Sequence, residues 1–120
     1  MSYKVTKRNE AVRYQAPGHY DVNTTRLHNP ADVNDGTIVM GLSHFLPEGG
    51  ANAAPANFEM IYYIAEGEMT VTLVNEDGSE SSYVLTQGDS VHFGKGTVRS
   101  CKNTGVVSAQ MLTIMIKPQA

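Results

Sequence analysis

The sequence contains a single cysteine, Cys101, and no long apolar run. One cysteine excludes an intrachain disulfide, so nothing in the chain indicates an oxidising compartment. The longest apolar stretches, such as residues 111–116, are far too short to cross a bilayer. The opening residues, MSYKVTKRNEAV, lack the continuous apolar segment of a secretory signal. We therefore expect a cytoplasmic protein that makes no membrane contact.

Basic residues are also scarce. The nine Lys and Arg are scattered, with only Lys7 and Arg8 adjacent, and the net charge is −3. Such a chain has no positive field that would attract nucleic acid or anionic lipid, so we expect neither as a partner. At 120 residues it has the size of one domain with a modest core.

No window of eleven or more residues has a helical period. Short strand-like segments separated by turn residues occur instead at 37–46, 60–65, 68–74, 81–86, 91–93 and 106–116. Glu66-Gly67 forms a tight corner between two of them, where glycine can supply a positive φ. These features predict an all-β fold, a sandwich or barrel, in a single domain.

Two boundaries follow from the same pattern. Residues 1–36 are polar and broken by Pro17, Gly18 and Pro30, so we expect an N-terminal arm with one or two short strands. Residues 37–120 form the predicted barrel, with PEGGANAAPAN (47–57) as a long loop. In the segment 37–46, His44 alternates in phase with Met40 and Leu42, which predicts that it faces inward.

Two segments resemble the motifs of the cupin superfamily of small jelly-roll barrels (double-stranded β-helices). YYIAEGEMTV is similar to the strand–turn–strand of the first motif. GDSVHFGKGTVRSCKN resembles the second, G-x5-P-x-G-x2-H-x3-N, with Gly88, Gly96 and Asn103 at the required spacings. Gly94 stands in place of the proline and Arg99 in place of the histidine. The resemblance covers about two-thirds of the chain and implies a cupin β-barrel; it does not by itself imply one activity.

The usual cupin metal ligands are missing from these motifs. The resemblance places the family glutamate at Met60 and the paired histidines at Ala54 and Ala56, or at Ala53 and Pro55. No histidine occurs between residues 45 and 91. Because a guanidinium keeps its proton, Arg99 cannot ligate a metal ion. We therefore expect no standard metal cofactor.

Arg99 is the leading candidate for ligand binding. Its motif position predicts that it points into the barrel, where it would clamp a carboxylate or phosphate. The alternatives are a salt bridge to Glu59 or a side chain turned to solvent. Apolar side chains at strand spacing are predicted to line the same pocket: Met60, Tyr62, Tyr63 and Phe93.

Three residues are candidates for acid–base chemistry: His44, Glu59 and His92. Glu59 would have a raised pKa if it turned inward among Met60 and the tyrosines. The same three side chains could instead form a non-standard metal site, or each could be an ordinary structural or solvent-facing residue.

Three functions remain open from the sequence. One is a metal-independent isomerase, cyclase or lyase acting on a small anionic compound. Another is a non-catalytic ligand-binding or sensor barrel, and the last is a metal enzyme with the non-standard ligands. The family resemblance also implies a homodimer.

Overall fold

The computed structural model describes residues 3–118, and the regular structure of this range is β-strand apart from two short 3₁₀ turns. The strands are β1 (Val12–Tyr14), β2 (His19–His28), β3 (Ile38–Pro55), β4 (Glu59–Glu66), β5 (Glu68–Val74), β6 (Glu80–Thr86), β7 (Ser90–Phe93), β8 (Val98–Lys102) and β9 (Ala109–Ile116). Two 3₁₀ turns, Arg8–Glu10 and Pro30–Asp32, complete the elements of this range. The predicted all-β, single-domain barrel is confirmed.

Strand β3 joins two sheets that face each other across the core. Its first half pairs with β2 and β9, and its second half pairs with β8. The strand order is therefore β6-β5-β8-β3-β9-β4-β7, with β2 on β3 and β1 on β2. We call β1-β2-β3-β9-β4-β7 the large sheet and β6-β5-β8 with the end of β3 the small sheet.

Strand β3 changes partners, from β9 to β8, at the Pro-Glu-Gly-Gly segment. Glu48 has a positive φ of 75°, and a Cβ placed on Gly50 would collide with the carbonyl oxygen of Cys101 on β8. The prediction of a long loop over 47–57 is wrong, because residues up to Pro55 continue as a strand. Small side chains allow this close pairing with β8, a long-range contact that local composition does not reveal.

The predicted corner between β4 and β5 is present. Gly67 has a φ of 82°, and its Cβ position lies 2.9 Å from the Cα of Ala109. Both the positive φ and the close approach require glycine.

Alternate residues of the strands fill the core between the sheets. The largest fully buried side chains are Phe45, Ile64, Met69, Val71 and Asn103. Asn103 Nδ2 donates to the carbonyl oxygens of Phe45 and Val107, and its Oδ1 accepts from the Gly105 amide. This one amide therefore fixes three backbone groups of the loop after β8 and of β3.

The N-terminal region extends the large sheet. Strand β2 pairs with β3 from His19 to His28, and β1 pairs with β2 from Val12 to Tyr14. Residues 12–28 therefore share a sheet with the barrel strands. No helix within residues 3–118 has the length and apolar character needed to cross a membrane.

Candidate ligand site in the barrel mouth

One end of the barrel is rimmed by three turns, residues 56–58, 75–79 and 94–97, and we call this end the mouth. Arg99 on β8 lies opposite Ala54 of β3 and Leu73 of β5. It is in phase with buried Cys101, so its side chain enters the barrel just inside the mouth. Because alternate residues of β8 face the interior, the sequence position of Arg99 places its positive charge inside the barrel.

The Arg99 guanidinium contacts both sheets. Its Nε donates to the Tyr62 hydroxyl at 3.2 Å and its Nη1 donates to the carbonyl oxygen of Ala54 at 2.8 Å. Its Nη2 lies 3.9 Å from the sulfur of Met60, and its central carbon lies 5.9 Å from the Phe93 ring centroid. These contacts hold the guanidinium in place, and none of them neutralises its charge.

No carboxylate among residues 3–118 lies within 4.0 Å of Arg99, since the ion pairs of this range involve other residues. The expected alternative of a salt bridge to Glu59 is therefore not formed, and neither is the exposed rotamer. A guanidinium has five N–H donors, and only two of them meet oxygen here. A third contact runs from Nη2 to the Met60 sulfur, which is a weak acceptor.

Tyr62 is the central polar side chain of the interior. It is 4% exposed and packs edge-on against Phe93, with ring centroids 5.0 Å apart. Burial raises the pKa of Tyr62 to about 12, although Arg99 acts in the opposite direction. The phenol therefore keeps its proton at neutral pH and can donate it to a ligand while accepting from Arg99.

Cys101 lies two residues after Arg99 on β8, so both side chains point to the same, inner face. It is 4% exposed, and burial raises the pKa of its thiol to about 11. It is consequently a protonated, unreactive thiol at neutral pH.

Of the four residues expected to line the pocket, Met60, Tyr62 and Phe93 face the interior and Tyr63 does not. Tyr63 is 40% exposed on the outer face of β4. The prediction that Tyr63 lines the pocket is wrong because neighbouring residues of a strand point to opposite faces, and Tyr62 occupies the inner position.

Glu59 and His92 also lie on the outer face, where they contact each other. His92 Nε2 is 2.7 Å from Glu59 Oε2, and more than half of each side chain is exposed. The prediction that Glu59 turns inward is wrong, because Met60 takes the inward phase at this end of β4. The pair forms an exposed hydrogen bond at the edge of the large sheet.

His44 is also on the outer face, so the prediction that it faces inward is wrong. The inward residues of β3 are Val39, Ser43 and Phe45, and His44 Nε2 meets Arg8 Nη2 at 3.1 Å. Both phases of the segment 37–46 contain large apolar residues, so alternation in the sequence could not decide between them.

The three acid–base candidates do not converge. His44 lies opposite Gln110 of β9 and Glu59 lies opposite Ile116, so roughly 20 Å of strand separates the two. No group of three or more His, Cys, Asp or Glu side chains among the described residues could hold a metal ion. The non-standard metal site formed by His44, Glu59 and His92 is therefore wrong.

The positions that the family resemblance assigns to metal ligands do not fit a divalent cation either. Ala54 and Ala56 offer only methyl groups, and Arg99 brings a positive charge to the same space. A cation there would meet repulsion and no nitrogen or carboxylate ligand. The chemistry of this mouth favours an oxyanion.

Comparison with known proteins agrees with this architecture. A family model described as "Cupin domain" matches residues 43–115. The protein named Beta-D-galactosidase Rv1717, from Mycobacterium tuberculosis (strain ATCC 25618 / H37Rv), is 38% identical over 117 residues, covering 98% of this chain and 97% of the relative.

Two solved structures illustrate the likeness of fold. The polyketide cyclase RemF from Streptomyces resistomycificus has a TM-score of 0.75 at 19% identity, covering 97% of this chain and 80% of that one. An RmlC-like cupin from Shewanella frigidimarina NCIMB 400 has a TM-score of 0.72 at 15% identity, covering 98% and 94%. The match of the cupin family model to residues 43–115 and the 38% identity to a relative over nearly the whole chain establish that this chain belongs to the cupin family.

Proposed function

We propose that this cupin binds a small organic molecule through a carboxylate or phosphate group, with Arg99 as the anchor. The observation that carries the proposal is a guanidinium held inside the barrel mouth with no carboxylate partner among the described residues. An oxyanion on its open edge forms charge-assisted hydrogen bonds, and a bidentate pair fixes the ligand's orientation as well as its position.

Side chains next to Arg99 supply further contacts for such a ligand. The Tyr62 hydroxyl is available as a second donor, because it donates to no side chain or backbone group of the described residues. Phe93 and Met60, each 6% exposed, supply an apolar wall. A mostly apolar pocket with a few convergent polar groups is the common form of a small-molecule site.

Binding is favoured over proton-transfer catalysis at this site. The two protonatable side chains next to the Arg99 guanidinium are Tyr62 and Cys101, and both hold their protons at neutral pH. A general base needs a pKa near the working pH. Glu59, His44 and His92, which have suitable chemistry, lie on the outer face.

The test is isothermal titration calorimetry with anions and their uncharged analogues: acetate with acetamide, benzoate with benzamide, and galacturonate with galactose. In at least one pair we expect the anion to bind about tenfold or more tightly than its uncharged analogue. This ratio corresponds roughly to the free energy of one charged hydrogen bond. Arg99→Gln should abolish that preference. Lys95→Gln, which removes an exposed cation of the mouth turns, is the matched control and should keep it.

Equal affinity for charged and uncharged partners in every pair, or an anion preference that survives in Arg99→Gln, would overturn the proposal. Circular dichroism and urea unfolding of each variant establish that the barrel is intact.

Hydrolysis of a β-D-galactoside is a second candidate, favoured by the name of the Mycobacterium tuberculosis relative and its 38% identity over nearly the whole chain. Most glycosidases need two carboxyl groups on either side of the scissile bond. Glu66 and Glu68 flank the Gly67 corner, where they accept from Gln110 and Thr104. They lie away from the Arg99 mouth, so this activity would need a different part of the barrel.

Assays with lactose and nitrophenyl β-D-galactoside separate the two candidates. Turnover that is lost in Glu66→Gln or Glu68→Gln but kept in Arg99→Gln would support hydrolysis. No turnover in the wild type excludes it.

The outer face of the large sheet is proposed as the contact between two copies of the chain. Ile61, Leu112 and Ile114 lie side by side there with Tyr63 and Leu42, and Tyr63 remains 40% exposed. A contiguous apolar patch of this kind is a common protein interface. Light scattering after gel filtration tests it: Ile114→Asp should convert a dimer to a monomer, and a monomeric wild type refutes the proposal.

A further inference from the structure

We infer that the ligand site continues from Arg99 across the inner face of the large sheet to a second guanidinium, that of Arg26, so the ligand carries two oxyanion groups. The inference rests on the proposed function and adds the ligand's shape and charge to it. It comes from the register of four strands and from the surroundings of Arg26.

A single cross-strand row runs from Tyr62, which accepts a hydrogen bond from Arg99, to Arg26. Tyr62 lies opposite Thr113, Thr113 opposite Gly41, and Gly41 opposite Arg26. Residues directly opposite each other in antiparallel strands point to the same face of the sheet. Because Tyr62 points inward, Arg26 belongs to the same inner face. Three strand spacings separate Tyr62 from Arg26, which corresponds to roughly 14 Å.

Arg26 is held in place but not neutralised. Its central carbon lies 4.5 Å from the centroid of the Tyr14 ring, and its Nη1 donates to Asn29 Oδ1 at 3.1 Å. Its Nε is buried without an acceptor, and no carboxylate of the described chain is within 4.0 Å. A stacked aromatic ring orients a guanidinium and leaves its charge free to attract an anion.

The inner face between Tyr62 and Arg26 carries polar groups. Gly41 has no side chain, and the hydroxyl of Tyr14 lies 3.9 Å from the position that a Cβ of Gly41 would occupy. Thr113 adds a second short hydroxyl side chain beside it. The hydroxyl groups of Tyr14 and Thr113 thus lie between the Tyr62 and Arg26 ends of the row.

These features define a ligand class. One oxyanion binds at Arg99 and Tyr62, a second binds at Arg26, and roughly 10–15 Å separates them given the strand spacing. The connecting part is hydroxylated or otherwise polar, because it lies over threonine and tyrosine hydroxyls. A dicarboxylate, or an acid carrying a phosphate, meets this description, and a compact monoanion meets only half of it.

The experiment uses two ligand series of increasing length: the dicarboxylates succinate, adipate, suberate and sebacate, and the matching monocarboxylates butyrate, hexanoate, octanoate and decanoate. Hexane-1,6-diyl bisphosphate tests whether phosphate replaces carboxylate. Calorimetry is carried out on the wild type, Arg26→Gln and Arg99→Gln. Arg13→Gln is the control, because Arg13 is exposed on the opposite face of β1.

We expect an optimum chain length at which the dicarboxylate binds about tenfold or more tightly than its monocarboxylate, the gain of one further charged hydrogen bond. Arg26→Gln should reduce the dicarboxylate to the affinity of the monocarboxylate and leave the monocarboxylate unchanged. Arg99→Gln should weaken both series, and Arg13→Gln neither.

The outcomes separate this inference from the proposed function. Monocarboxylate binding that depends on Arg99, with no dicarboxylate advantage at any length, overturns the second subsite and leaves the first. Loss of monocarboxylate binding in Arg26→Gln overturns it as well, since the two sites would then be one. Binding that is indifferent to Arg99 overturns both.

Discussion

Raising the pH should destabilise this protein through two buried acids of the barrel interior, Cys101 and Tyr62. Burial raises the pKa of Cys101 from 9.0 to about 11 and the pKa of Tyr62 from 10.0 to about 12. In the unfolded chain both groups release their protons at lower pH than in the folded chain. Alkali therefore favours unfolding; the contribution of Cys101 is complete below about pH 9 and is lost as the pH rises to 11.

The size of the effect follows from these shifts. One pKa unit corresponds to a little over 1 kcal/mol, so by pH 10 the change for Cys101 is about 1 kcal/mol and the change for Tyr62 is smaller. Together they remove about 1–2 kcal/mol, a substantial part of the roughly 5–15 kcal/mol that stabilises a domain.

Urea unfolding followed by circular dichroism between pH 8 and pH 10 measures this loss. Cys101→Ala provides the control, because all other ionisable groups are common to the two proteins. The variant starts from a lower free energy of unfolding, since it leaves a small cavity. Its decline from pH 8 to pH 10 should be smaller than that of the wild type by about 1 kcal/mol. Parallel profiles for the two proteins would refute the reasoning that Cys101 is buried in its protonated form.

Other predictions concern single residues. Asn103→Leu leaves three backbone groups without their partner and should lower the free energy of unfolding by about 3–4 kcal/mol; a loss no larger than that of the exposed Asn75→Ala would contradict this. Gly67→Ala should cost at least about 1–2 kcal/mol because of its positive φ, and an unchanged urea midpoint would argue against the strained corner. Glu59→Gln should leave anion affinity unchanged in calorimetry, because Glu59 lies outside the barrel; weakened binding would place it in the site.

Much of the fold was predictable because local signals and motif spacing agree. The corner at Gly67 and the position of Arg99 both follow from the two motifs, and the strands from 60 to 93 follow from alternation. The second half of β3 was not predictable in this way. Its Ala, Asn and Pro residues have low strand propensity, and only pairing with β8 makes them a strand.

The wrong predictions at the site concern which face of a strand each side chain points to. A strand offset by one residue exchanges its inner and outer faces, and that offset moved His44 and Glu59 from the predicted interior to the surface. It also puts Tyr63 on the outer face, so that only Tyr62 of the two predicted tyrosines faces the interior. The part played by Arg26 is non-local, since it depends on β2 pairing with β3 in a register that places Arg26 opposite Gly41. Nothing in the polar composition of residues 1–36 indicates that register.

The central claim is that Arg99 is an anion anchor inside the barrel mouth, and the most direct measurement is the proton–nitrogen NMR signal of its Nε–H group. Acetate, benzoate, galacturonate and inorganic phosphate are titrated into labelled protein, with acetamide, benzamide and galactose as uncharged counterparts. The account predicts that at least one anion shifts this signal to saturation while its uncharged counterpart does not. A signal that no anion moves, or that charged and uncharged partners move equally, would contradict it.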